Sequence, residues 1–202
     1  EGNGNWGICE GTVFYRWEVL NFDINTLIKT GKYLTCIGLD YGFTNDPTAL
    51  IVSLVNEDEK EIYIIDEHYQ IGMFNEDIVE LIKYKGYSKS VIVADSAEEK
   101  SIKWMKKNGV PRIKSSVKGP DSIMFGIQYL QGYKVFIHPK CKNFIIEIKN
   151  YVWDTDKKTG KSLNKPIDNY NHLIDAWRYS IEPLLIRNNV NKDNFKFITN
   201  KK

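Results

Sequence analysis

Apolar and polar positions along this chain follow two different rhythms. From Tyr33 to Leu39 ("YLTCIGL") and from Thr48 to Val55 ("TALIVSLV") the apolar residues crowd together, as in strands covered on both faces. "EIYIIDE", from Glu61, alternates through Ile62 and Ile64, with Ile65 out of step, and predicts a third strand. Short turns join the three, so an antiparallel meander is expected. A helical period then takes over: Ile78, Val79, Leu81 and Ile82 share one face of a helix that starts at Asn75 and stops at Gly86. "SVIVAD" reads as a fourth strand. In "SAEE", Ser96 and Glu99 have the spacing of a capping box, opening a helix that ends at Gly109. Arg112 to Val117 is expected to be extended. Asp121 is placed to cap a helix that ends at Gly132, and "KVFIHP" predicts a fifth strand. Cys141, Phe144, Ile145 and Ile148 mark a helix from Lys140 to Asn150. "YVWDTDKKTGKSLNKP" predicts a hairpin, and "NHLIDAWRYSIEPLL" the last helix.

Three strands, a helix, then strand–helix alternation give an α/β fold. Its expected sheet is five-stranded and mixed, three antiparallel strands plus two parallel, flanked by helices, with a β-hairpin before the last helix. That order is the ribonuclease H-like layout, and its long crossovers should be right-handed. With 202 residues, 42% of them hydrophobic, the chain suffices for one substantial core. No stretch approaches the ~20 apolar residues of a membrane span. Three widely spaced cysteines, Cys9, Cys36 and Cys141, speak against a disulfide framework or a zinc site. A net charge of +2 means that any affinity for nucleic acid must come from a local patch.

Aspartates stand at matching places. Asp40 ends the first strand of the meander and Asp95 ends the fourth strand. Sites in open α/β sheets form beyond the carboxyl ends of strands, so parallel neighbours would bring the two together. On the last helix, Ile174, Trp177, Ile181 and Leu184 form the apolar stripe, which leaves His172 and Asp175 together on another face. Three carboxylates and a histidine make an oxygen-rich cation site suited to Mg²⁺ or Mn²⁺. Two such ions ~3.5–4 Å apart can activate water against a phosphodiester. Each residue also has a plainer reading. A strand-end aspartate often serves a turn, Asp95 could complement a helix N-terminus, and Asp175 and His172 could simply be solvated.

"GLDYGFTNDPTA", "VIVADSAEEKSI", "KGPDSI", "FIHPKCKNFIIEI" and "YVWDTDKKTGKSLNKPIDNYNHLIDAWRYS" together resemble the C-terminal nuclease domain of the large terminase subunit of tailed bacteriophages. The likeness runs from about Tyr33 to Leu185. It implies a metal-dependent endonuclease that cuts concatemeric double-stranded DNA during packaging, with Asp40, Asp95 and Asp175 as ligands of two Mg²⁺ or Mn²⁺ ions, and His172 as an accessory residue. Implied partners are the family's ATPase domain, the small terminase subunit and the portal protein, in the host cytoplasm. "NWGICEGTVFYRW" resembles the segment that closes the ATPase domain. Residues 1–30 are therefore expected to be upstream or linker sequence, 31–186 the nuclease, and 187–202 a polar tail. Glu99 stands where the family often has a proline.

Lysines supply the candidate DNA contacts. Lys114 and Lys118 follow the helix that ends at Gly109, and Lys157, Lys158 and Lys161 crowd the hairpin. "TGKS" (159–162) is no P-loop, since the first glycine of that motif would fall on Thr155. Two rival readings remain from the sequence. One is an actin-like or sugar-kinase nucleotide-binding domain, which would need a second phosphate loop. The other is a catalytically inactive module that docks DNA or partners.

Overall fold

The computed structural model describes residues 11–117, 119 and 121–187. Its main sheet has seven strands. In chain order these are β1 (Trp17–Val19), β2 (Leu34–Asp40), β3 (Thr48–Asn56), β4 (Glu61–Gln70), β5 (Ile92–Ala94), β6 (Ile113–Ser115) and β7 (Lys134–Ile137). Across the sheet the order is β1-β7-β4-β3-β2-β5-β6. β2, β3 and β4 form the expected antiparallel meander, while β5 joins β2 and β7 joins β4 in parallel. The sheet is therefore wider than the five strands expected, by β1 at one edge and β6 at the other. Each has only three residues, too few to show a period.

The helices are α1 (Ile24–Lys29), α2 (Asn75–Tyr84), α3 (Glu99–Lys107), α4 (Ser122–Gln131), α5 (Lys142–Asn150) and α6 (His172–Ser180), and after a turn at Ile181 residues 182–187 are again helical. Strands β8 (Trp153–Thr155) and β9 (Ser162–Pro166) form the predicted hairpin. Two apolar clusters cover the two faces of the sheet. One contains Ala49, Ile51 and Val55 of β3 with residues of α4, α5 and α6. The other contains Leu50, Val52 and Leu54 with residues of α2 and α3. β3 is buried along its whole length, which explains its continuous apolar run. Both faces of β4 are covered here, so Ile64 and Ile65, neighbours that point to opposite faces, lie in different clusters, and a register shift between Val52 and Ser53 leaves Ile65 opposite no residue of β3. That accounts for the out-of-step isoleucine in the sequence.

Two caps differ from expectation. The capping box at Ser96 does not form. Asp95 caps instead, its Oδ1 accepting from Ala97 N at 3.1 Å at the start of a 3₁₀ turn over Ser96–Glu98. Glu99 pairs with Lys103 at 3.0 Å. Asp121 does occupy the N-cap position of α4, but its φ of 63° places it in the left-handed region and its side chain makes no cap bond. Residues 11–30, expected to be upstream sequence, add β1 to the sheet and Val13 and Phe14 to the core.

Candidate active site

Asp40 is the last residue of β2, and Leu39 pairs with Ala94 of the parallel neighbour β5. Asp95 N donates to Leu39 O at 3.0 Å, so both aspartates leave adjacent strands at the same level. α6 packs across β2 from the face that carries α4 and α5. Gly38 permits this approach, because a Cβ built there would lie 1.7 Å from Ala176 O. Asp175, one residue before Ala176, is thereby carried to the β2 end.

His172 is the first residue of α6. Its Nδ1 lies 3.3 Å from Asp40 Oδ2, and its Nε2 lies 3.7 Å from Asp46 Oδ1. The imidazole thus sits between two carboxylates. Burial pushes Asp40 up to about 6, the His172 hydrogen bond opposes that, and the charges of Asp175 and Asp95 add to it. The hydrogen bond to Asp40 holds His172 above its ordinary value, against a smaller opposing effect of burial. Asp175 is raised by burial, with the Arg178 guanidinium acting the other way. Arg178 Nη2 and Nε contact Asp175 Oδ1 at 3.1 and 3.2 Å. Gly126 of α4 leaves room for that buried arginine, since a Cβ there would meet Arg178 Cγ at 2.4 Å.

The structure therefore brings Asp40, Asp95, Asp175 and His172 to one end of the sheet. As placed, no three carboxylate, imidazole or thiol groups among the described residues close around one point as an ion cage. Asp175 faces Arg178, and Asp95 faces its helix amide. The donor chemistry nevertheless fits a hard divalent cation. All three carboxylates supply oxygen, and Asp40 feels the other two as like charges, a repulsion that an added cation relieves.

Two open grooves reach this end. One of about 530 Å³ is lined by Tyr41, Phe43, Asp46, Phe74 and Glu98, and another of about 450 Å³ by Asp121, Lys165, Asp168, Asn171 and Asp175. Lys157, Lys158 and Lys161 are exposed around the hairpin turn. There Asp156 Oδ1 accepts from Lys158 N at 3.0 Å and Thr159 N at 2.7 Å, so "TGKS" is turn rather than phosphate loop. Lys114 is exposed on edge strand β6, and Lys118 lies outside the described residues.

Sequence reasoning missed three residues. Asp46 stood inside a quoted motif without a role. Arg178 follows Asp175 by three positions, a readable helical ion-pair spacing. Glu147 lies in the apolar stripe with Phe144 and Ile148, where a carboxylate signals a buried task. Burial raises it to about 7.

Residues 40–183 match the family described as the terminase RNase H-like domain. The terminase large subunit of Bacillus phage SPP1 is 33% identical over 148 residues, 72% of this chain and 35% of that protein. The PBSX phage terminase large subunit of Bacillus subtilis is 26% identical over 182 residues, 89% of this chain and 42% of that protein. The chain thus spans well under half the length of these relatives. The crystal structure of the SPP1 large terminase nuclease domain with bound Mn superposes with a TM-score of 0.77 at 29% identity, covering 85% of this chain and 98% of that one.

Proposed function

The chain belongs to the terminase RNase H-like family, and on that premise we propose that it is the nuclease domain of a viral DNA-packaging motor, hydrolysing phosphodiester bonds of double-stranded DNA. The chief support is the meeting of Asp40, Asp95 and Asp175 beyond adjacent parallel strands, beside His172. Asp40, Asp95 and Asp175 would hold Mg²⁺ or Mn²⁺, one or two ions. When bound, such an ion supplies Lewis acidity to water and phosphate.

The chain's own residues supply the rest. Asp40 orients His172 through Nδ1, and that hydrogen bond raises the basicity of the imidazole. Arg178 fixes Asp175 through Oδ1. Lys114, Lys157, Lys158 and Lys161, with Lys118, are proposed to hold phosphates beside the acidic end. An upstream ATPase domain, joined ahead of the residues that build β1, a small subunit, a portal and a site of action in the host cytoplasm complete the proposal.

Incubating the chain with supercoiled plasmid, without ATP, tests it. Nicked and linear products should form with millimolar Mn²⁺ or Mg²⁺ and vanish with chelator. Asp40→Asn, Asp95→Asn and Asp175→Asn should each abolish them while the fold is kept. Plasmid that stays supercoiled under excess protein at low salt overturns the proposal.

A further inference from the structure

The helix that carries His172 and Asp175 does not cap itself. Asn171 occupies its N-cap position, but its side chain caps no amide and donates instead to Asp168 Oδ1 at 3.2 Å and Asp175 Oδ2 at 3.4 Å. The first amides of a helix have no partner within it, so they need one from elsewhere. Glu147 provides it from α5, with Oε2 accepting from Leu173 N at 2.8 Å and Ile174 N at 3.1 Å. Glu147 is 3% exposed. A leucine would fill the same stripe at no desolvation cost, so packing alone does not account for a carboxylate there.

α5 repeats the arrangement one step back. Its N-cap residue, Cys141, makes no side-chain cap either. Glu67 of β4 serves it, Oε1 accepting from Asn143 N at 2.9 Å and Oε2 from Phe144 N at 2.8 Å. Two carboxylates in series therefore tie β4 to α5 and α5 to α6. Each binds at the end of a helix dipole that favours negative charge.

We propose that Glu147 is a positioning residue that fixes the first turn of α6, and so places His172 and Asp175 against Asp40, with Glu67 steadying the helix that carries it. The inference rests on the nuclease reading above. Glu147 acts through the backbone of Leu173 and Ile174.

The test compares Glu147→Leu, which keeps the packing and removes the cap, with Ile148→Ala, which opens a cavity on the same helix and keeps the cap. Amide exchange on the metal-free protein reads the cap itself, while Mn²⁺ titration calorimetry and cleavage kinetics read its consequence. Glu147→Leu should speed exchange at Leu173 and Ile174 and weaken Mn²⁺ binding about tenfold, the scale typical of groups that orient ligands. It should lower kcat similarly and leave KM for DNA nearly unchanged. Ile148→Ala should lower Tm without weakening Mn²⁺ binding. Should Glu147→Leu fail to fold, Glu147→Asp retracts the carboxylate by one methylene and should shift the same three readouts in the same direction. Wild-type Mn²⁺ affinity and kcat in Glu147→Leu or Glu147→Asp would overturn the inference, as would an equal loss of affinity in Ile148→Ala. A wild-type chain that neither binds Mn²⁺ nor cuts DNA would instead overturn the nuclease reading, and this inference with it.

Discussion

Asp40 is the residue on which most of the site's electrostatics converge. Its carboxyl titrates near 3.8 in an unfolded chain and at about 6 in the fold, chiefly because it is buried. Between those values the folded state binds more protons than the unfolded one, so stability falls as pH rises. The raised His172 has the same sign: its contribution is present below its unfolded value of 6.5 and is lost as pH rises through the folded one. Metal-free protein should therefore melt at lower temperature at pH 7 than at pH 5. Asp40→Asn should flatten that slope and stabilise the metal-free chain at pH 7 by about 1–2 kcal/mol, less than the full shift because the bond to His172 weakens. Thermal melts across this range, with and without chelator, check it. A variant as steep as the wild type would place the pH dependence elsewhere, with the buried Glu147 the next group to replace.

At the scale of elements, the approach of α6 to β2 decides whether a site exists. Gly38→Ala would drive a methyl into the carbonyl of Ala176, and the helix must move or the strand must bend. A loss of about 3 kcal/mol is expected, together with loss of cleavage even where the protein still folds. Chemical denaturation and the plasmid assay read the two effects separately. Most elements were legible from their periods: the long strands β2, β3 and β4 through their apolar runs, and α2 and α5 through their stripes. The pairing of Asp40 with Asp95 was legible because strand ends and strand order predict neighbours. β1 was not, since three residues held at a sheet edge by backbone bonds carry almost no side-chain signal, while β6 was legible as an extended stretch but not as a sixth member of the sheet. Nor was the partnership of Glu147 with α6, a contact between residues 26 or 27 positions apart that only the packing of two helices creates. The left-handed Asp121 escaped for a similar reason, because its residue type suits a cap and its backbone does not.

Taken whole, the molecule is nearly neutral, yet it is proposed to hold a polyanion at an acidic end. Binding must then lean on a few exposed lysines. Replacing Lys157, Lys158 and Lys161 together by alanine should weaken binding to all DNA sequences alike. It should also reduce the slope of log affinity against log salt by up to roughly three counterions. An unchanged slope would leave the hairpin out of the interface. The hairpin has one further property, set by how the chain arrives. Gly11 O accepts from Trp153 N at 2.9 Å, Val13 N donates to Tyr151 O at 3.0 Å, and Thr12 bridges Val152, all before β1 meets β7. A tether leading in at residue 11 is therefore knotted to the hairpin's root before it is anchored in the sheet. Tension along that tether would load the hairpin first and the seven strands only afterwards, so a pull from upstream would be felt at the rim of the groove containing Asp175.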